Sequence, residues 1–253
     1  MTVTGAERDD LEARSAARGG ASKRAYVRRI FSEIAPRYDV LNHLLSFNVD
    51  RAWRRQAIAE LAWQRRPTGI YLDLCAGTLD VGALLTRQRG FRGLVIGADF
   101  AEPMLRMGAG KAPREALAPV AADAQELPLA TGSAAGAVVA FGIRNVADLD
   151  AALGEVRRVL APHARLVVLE FSTPESAVVR ALYHAYFHRV LPAVGRLVSG
   201  HPTAYSYLPQ SVANFPARDE LALRLARAGF ANVRWRPLTF GIAALHCGEV
   251  GPA

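Results

Sequence analysis

The sequence predicts a doubly wound α/β domain with a mainly parallel sheet. Two observations carry that prediction. Short apolar runs recur at Ile70–Cys75, Leu94–Ala98, Pro119–Ala122, Ala135–Phe141 and Arg165–Phe171. Helix-period stretches separate several of them, and strand–helix alternation is the pattern of a parallel sheet covered on both faces. The length of 253 residues suits one such domain with additions, because α/β units often exceed the roughly 100–200 residues of an average domain.

Residues 1–22 are small, polar and Gly-containing, and read as a disordered tail ahead of a single domain over 23–253. Residues 24–63 read as N-terminal helices. Val27, Ile30, Phe31 and Ile34 fall at i, i+3, i+4 and i+7, and Pro36 stops that helix. Trp53, Ala57, Ile58 and Leu61 form a second stripe. After the first strand run comes the turn Ala76-Gly77-Thr78, then a helical pattern to about Arg87. Met104, Leu105 and Gly108 open the helix after the second strand, and Leu149, Ala152, Leu153, Val156 and Leu160 mark the one before the fifth. Asn232–Pro237 and Phe240–Cys247 are close enough to pair antiparallel at one edge. Residues 176–218 interrupt the alternation. They hold four Arg, three His and six aromatics with no Asp or Glu, and an insertion there reads as a late helical lid.

Two cysteines, Cys75 and Cys247, make no disulfide framework and point to a reducing, cytoplasmic compartment. The N-terminus has no apolar signal core. The longest apolar stretch, Ala134–Ile143, is about half of the ~20 residues a membrane span needs. The net charge is +8, but 29 of the 31 basic residues are Arg, which reads as a compositional bias of the whole chain. No RNA-binding module accompanies the charge, so no nucleic-acid partner is expected. The histidines lack Cys or carboxylate partners at ligand spacing, so no metal is expected either.

Acids mark the ends of the first three strands. Asp73 precedes the Gly77 turn, Asp99 ends the second strand and Asp123-Ala124 ends the third. Ligands of doubly wound sheets bind at these carboxyl ends. A carboxylate at Asp99 suits the two hydroxyls of a ribose, and Asp123 with the Ala124 N–H suits an adenine. The G-x-G-x-x-G pattern that brings a helix N-terminus to a pyrophosphate is absent, as is the P-loop lysine. Asp73 or Asp80 suits an ammonium group instead. S-adenosyl-L-methionine carries all three features; either acid taken alone is equally readable as a turn or cap residue.

The chain resembles the menaquinone and ubiquinone C-methyltransferases from about Val27 to Glu249. The resemblance rests on Tyr38-Asp39-Val-Leu-Asn42, Leu45-Ser46-Phe47, Trp53, Leu72-Asp73-Leu74 with Gly77-Thr78, Asp99, Met104-Leu105 and Asp123-Ala124 with Leu127-Pro128. It continues through Phe141-Gly142-Ile143-Arg144-Asn145-Val146, Arg158-Val159-Leu160, Leu169-Glu170-Phe171-Ser172, Tyr205-x-Tyr207-Leu208 and Ala243-Ala244-Leu245-His246. The Phe-Gly-Ile-Arg-Asn and Tyr-x-Tyr-Leu elements are the specific ones. The resemblance implies a class I, Rossmann-like fold and methyl transfer from S-adenosyl-L-methionine to a ring carbon of a prenylated quinol. It implies cofactor contacts at Thr78, Asp99, Asp123 and Ala124. Ala140 stands where the family often has Ser, and Cys75, Ala76 and Leu79 stand where small residues, mostly Gly, are usual.

A ring carbon becomes nucleophilic when its neighbouring hydroxyl loses a proton, and an unperturbed phenol has a pKa of ~10. Arg144 suits electrostatic support of the phenolate rather than proton abstraction, since arginine stays charged. Asn145 suits a hydrogen bond to a quinol oxygen. A structural turn with an Arg144–Asp148 ion pair is the alternative. Candidate bases are histidine or aspartate, with His201 in a loop; Arg180, His184 and His188 share one helical face that suits the quinol, anionic lipid or, as a solvated face, plain water, and His246 reads as a core residue. Tyr205 and Tyr207 alternate as in a strand or turn, so that one suits closure over the ring and the other plain packing. The Arg-rich, aromatic 176–218 segment is the candidate for reversible contact with an anionic membrane surface, about 1 kcal/mol per basic residue near the lipid. Two other readings remain at this stage: methylation of a small aromatic secondary metabolite, and S-adenosylmethionine binding without catalysis. The acceptor ring, the prenyl length, the base and the oligomeric state are not legible.

Overall fold

The computed structural model describes residues 21–35, 46, 48–186 and 204–252. Two helices precede the sheet, α1 (Ala21–Ile34) and α2 (Val49–Glu60). The sheet strands are β1 (Ile70–Leu74), β2 (Leu94–Asp99), β3 (Leu117–Ala121), β4 (Ala134–Ala140), β5 (Leu160–Phe171), β6 (Phe230–Leu238) and β7 (Ala243–Val250). Between them run α3 (Asp80–Thr86), α4 (Glu102–Gly108), α5 (Leu149–Val159), α6 (Ala177–Ala185), α7 (Ala204–Ala213) and α8 (Arg218–Arg227).

The strand order is β3-β2-β1-β4-β5-β7-β6. β1 to β5 are mutually parallel, and β7 runs antiparallel to both β5 and β6. The chain winds outward from β1 through β3, then returns to β4 on the other side of β1. That reversal opens a crevice beyond the ends of β1 and β4.

Side chains alternate between the two faces of a strand, so β1 feeds two cores. Leu72 and Leu74 join Ile96, Val139 and Val168 under α5 and α8. Tyr71 joins Val95, Val138 and Val167 with α2 and α3. Asp73 shares the Tyr71 face, which decides its role below.

Several boundaries differ from the sequence reading. β5 begins at Leu160, directly where α5 ends, rather than at Arg165. Residues 239–241 form a single 3-10 turn, so the last strand starts at Ala243 rather than Phe240. Tyr205 and Tyr207 lie on α7, a helix with Pro209 inside it, rather than on a strand or turn. Proline removes one helical hydrogen bond, yet the helix continues to Ala213.

Candidate active site

The cleft lies where the switch point predicts, at the carboxyl ends of β1, β2 and β4 with α1 across it. Its empty volume is about 650 Å³, continuous with solvent. Gly77, Asp99, Asp123, Ala124, Ala140 and Asn145 line it from the sheet side. Arg24, Val27 and Phe31 line it from α1.

The backbone beside the cleft is strained. Cys75 (φ 52), Leu79 (φ 65) and Phe141 (φ 61) are all left-handed non-glycine residues at the ends of β1 and β4. Each such residue costs of order 1–3 kcal/mol and persists only where its surroundings dictate it. At Leu79 the surroundings are visible. Its side chain is buried against the second core, and a Cβ on Gly97 would fall 2.2 Å from its Cδ2. Leu79 therefore points into the protein, away from the cleft. Gly108 admits the same turn, since a Cβ there would lie 2.4 Å from the Thr78 carbonyl oxygen. Thr78 itself is buried.

Among the described residues, Asp99 and Asp123 are the carboxylates that line the cleft. The Gly77 N–H donates to Asp99 Oδ2 and the Ala101 N–H to its Oδ1, both at 2.8 Å. A carboxylate has about four acceptor sites, so two remain for a ligand. Burial raises its pKa, against the pull of the two amides. Asp123 accepts the Gln125 N–H at 2.9 Å on Oδ1, and Arg24 of α1 pairs with its Oδ2. The loop beyond is pinned by α5. Glu155 Oε1 accepts the Leu127 N–H at 2.7 Å, and Arg158 Nη1 donates to the Leu129 carbonyl at 2.9 Å.

Asp73 and Asp80 do not line the cleft. Asp73 is buried under α3, where the Gly82 N–H donates to its Oδ2 at 2.7 Å. Burial pushes its pKa up to about 8. Asp80 lies between Arg54 Nη1 and Lys111 Nζ, both at 2.6 Å. Burial opposes its ionisation, but the two cations outweigh it and lower its pKa.

On the acceptor side, Arg144 and Asn145 occupy a 3-10 turn after β4. The Arg144 guanidinium is buried against Glu170 at the end of β5, 2.8 Å from Nη1 to Oε1, and also donates to the Phe141 carbonyl. The ion pair anticipated for Arg144 exists, but its partner is Glu170. Asp148 instead caps α5 by accepting the Ala151 N–H at 3.0 Å. Asn145 is buried, faces the cleft, and among the described residues its Oδ1 has no hydrogen-bond partner. Lys23 of α1 donates to the Arg144 carbonyl at 2.7 Å.

His201 lies outside the described residues. The Tyr205 backbone is on α7, and its side chain is outside the description. Tyr207 is buried, with its ring 5.5 Å from that of Tyr26. His184 is exposed, and His246 is buried with Nε2 3.0 Å from the Arg218 carbonyl. The sequence reading assigned no role to Lys23, Arg24 or Glu170. The available signal was composition: Lys23 is one of only two lysines beside 29 arginines.

The ribose and adenine side of the cleft fits S-adenosylmethionine, because Asp99 keeps acceptor capacity there and Asp123 and Ala124 close its far end. Comparison with solved structures supports the fold. The cyclase SpnF aligns with a TM-score of 0.64 at 15% identity, covering 90% of this chain and 96% of that one. A SAM-dependent methyltransferase from Thermotoga maritima aligns at 0.62 and 18%, covering 87% and 98%. Demethylmenaquinone methyltransferase of Thermus thermophilus is 50% identical over 222 residues, 87% of this chain and 99% of that protein. The ubiquinone/menaquinone biosynthesis C-methyltransferase UbiE of Geobacter sulfurreducens is 42% identical, covering 89% and 88%. A sequence model of the ubiE/COQ5 methyltransferase family matches residues 20–250, so the resemblance read from the motifs holds and the chain belongs to that family of S-adenosylmethionine-dependent methyltransferases.

Proposed function

We propose that this protein methylates a ring carbon of a prenylated quinol, with demethylmenaquinol as the acceptor. The observation that carries the reading is one cleft holding Asp99 at the end of β2 and Asn145 just after β4. The first side suits the donor and the second suits an acceptor oxygen. The similarity to enzymes named for demethylmenaquinone supports the choice of ring.

Bound in the cleft, S-adenosylmethionine supplies an electrophilic methyl group on a sulfonium. Asp99 accepts the ribose hydroxyls with its two remaining acceptor sites. Asp123 and Ala124 hold the adenine edge, while Gly77 and Ala140 leave room for the rest. Thr78 supports the turn from beneath. Asn145 orients the acceptor hydroxyl through its unpartnered oxygen or its amide group. Arg144 is a positioning residue. Its charge is committed to Glu170, and that pair fixes the turn from which Asn145 projects. Tyr205 and His201 remain candidates for the acceptor side of the site.

The lid segment meets the membrane surface in the same proposal. Val178 and Leu182 lie one turn apart on α6 and are largely exposed, as is Phe240. Ser172 Oγ donates to the Gly241 carbonyl at 2.7 Å, which anchors the Phe240 turn at the edge where the chain leaves for α6. Arg180 adds a cation on the same helix. Among the described residues no helix is long and apolar enough to cross a membrane, so the contact would be peripheral. Sedimentation with anionic vesicles at low salt tests it, with loss of binding expected for Val178→Asp/Leu182→Asp. Incubation with reduced demethylmenaquinol and S-adenosylmethionine tests the reaction. One added ring methyl supports the reading, and no product with the donor bound opposes it.

A further inference from the structure

Carbon methylation of a quinol needs a group to take the hydroxyl proton, and most of the titratable side chains in and beside the cleft are unsuited. Asp99 holds two backbone amides and, in the reading above, spends its remaining acceptor sites on the ribose, while Asp123 is paired with Arg24. Burial pushes the Cys75 thiol well up and the Tyr207 phenol to about 12. Arg144 stays charged and faces Glu170.

Lys23 remains. It lies one helical turn before Val27 and next to Arg24, which with Phe31 are the α1 residues that line the cleft. Its Nζ lies 2.7 Å from the carbonyl oxygen of Arg144, the peptide that leads directly into Asn145. We propose that Lys23 is the base that takes the ring-hydroxyl proton, from a hydroxyl held by Asn145. The inference rests on the quinol reading above.

The chemistry is balanced and local. The hydroxyl O–H bond breaks, its proton moves to the amine of Lys23, and its electron pair stays on oxygen and delocalises onto the ring carbon. That carbon takes the donor's methyl group as the methyl C–S bond breaks with its electron pair going to sulfur, and it then sheds its own hydrogen as a proton to solvent. Neutral Lys23 still has N–H groups to donate to the Arg144 carbonyl while its lone pair accepts. Burial, followed by the nearby Arg144 charge, lowers its pKa to about 8. An amine so placed is partly neutral near neutral pH and is matched to a phenol of pKa ~10.

Charged and titratable groups surround it, and on its own helix the Arg29 guanidinium lies 5.5 Å over the Tyr26 ring. The turn side presents Arg144 with Glu170, which also act on Tyr183 of α6 and Tyr207 of α7. α4, also packed on α1, carries Glu102 and Arg106, which pair with each other at 2.6 Å on the surface. On α1 itself Arg24 is turned to Asp123. The composition agrees. Arginine fills 29 of 31 basic positions, and no arginine can do this work. The other lysine, Lys111, is bound to Asp80.

The direct test is NMR of the wild-type protein carrying ¹³C-lysine. With two lysines there are only two side-chain Cε signals, and that of Lys23 is expected to titrate near 8; a midpoint near the ordinary ~10.4 overturns the proposal. Lys23→Arg keeps the charge and removes the base. It should lower turnover about 100-fold or more, leave S-adenosylmethionine affinity within about threefold, and move the rise of the pH–rate profile toward the phenol's own value. Lys23→Gly should regain rate with added methylamine. Wild-type turnover and profile in Lys23→Arg refute the role of Lys23 alone, whereas a wild-type protein that methylates no reduced quinol refutes the quinol reading and this inference with it.

Discussion

Arg144 Nη1 and Glu170 Oε1 lie 2.8 Å apart in a buried ion pair that ties the turn after β4 to the end of β5. Removing one partner of such a pair strands a charge away from water, at a cost of about 3–5 kcal/mol. Glu170→Ala should therefore destabilise the protein by that much in urea unfolding, and Glu170→Gln by less. Arg144→Ala should lower turnover far more than S-adenosylmethionine affinity. An equal fall in both would assign Arg144 to the cofactor site.

Asp99 both shapes the Gly77 turn and presents free acceptor sites to the cleft. Asp99→Ala is expected to weaken S-adenosylmethionine binding by about 100-fold or more, at a folding cost of about 1–3 kcal/mol for each stranded amide. Calorimetric titration beside a thermal melt separates the two effects. Unchanged binding would remove Asp99 from the site.

Gly97 leaves the space that Leu79 fills. A Cβ there would stand 2.2 Å from Leu79 Cδ2, so Gly97→Ala forces the leucine out of its seat. Overpacking of this kind costs about 1–3 kcal/mol. Because Leu79 anchors the Gly77 turn beside the cleft, donor affinity should fall with stability if that turn holds the donor as proposed. Loss of stability with unaltered affinity would show that the turn holds its shape without that contact.

Asp73 gives a pH signature. Burial raises its pKa to about 8 in the folded protein, against ~3.9 in an open chain. Between those values the folded state holds a proton that the unfolded state has released, so this group lowers stability as pH rises through the window. Asp73→Asn keeps an oxygen for the Gly82 N–H and removes the effect. Its stability relative to wild type should improve from about pH 5 to about pH 8 in urea titrations. A difference constant with pH would mean that Asp73 is ionised in the fold.

The sheet was readable because buried parallel strands are short apolar runs, and Asp99, Gly77 and Asp123 stand where those runs end. Asp73 and Asp80 stayed open between ligand contact and turn or cap, because composition at a strand end does not reveal which face a residue takes. Asp73 follows Tyr71 by two and so shares its buried face, while Asp80 meets two cations from α2 and the chain after α4. Arg144 was legible as a member of an ion pair, but its partner lies 26 residues away on β5, beyond any local spacing rule. Composition set Lys23 apart as one of two lysines, but its place in the fold was not legible, for the same reason. Only the packing of α1 over the cleft brings it to the Arg144 carbonyl.

The most direct measurement mixes the purified protein with S-adenosylmethionine and a demethylated prenyl naphthoquinone in detergent, once chemically reduced and once oxidised. Mass spectrometry then follows the ring. One added methyl on the reduced form alone is the expected result, because only the quinol has a hydroxyl whose proton can be taken. Equal methylation of the oxidised form, or none of either while the cofactor binds, would contradict a carbon methyltransferase that activates its acceptor as a phenolate.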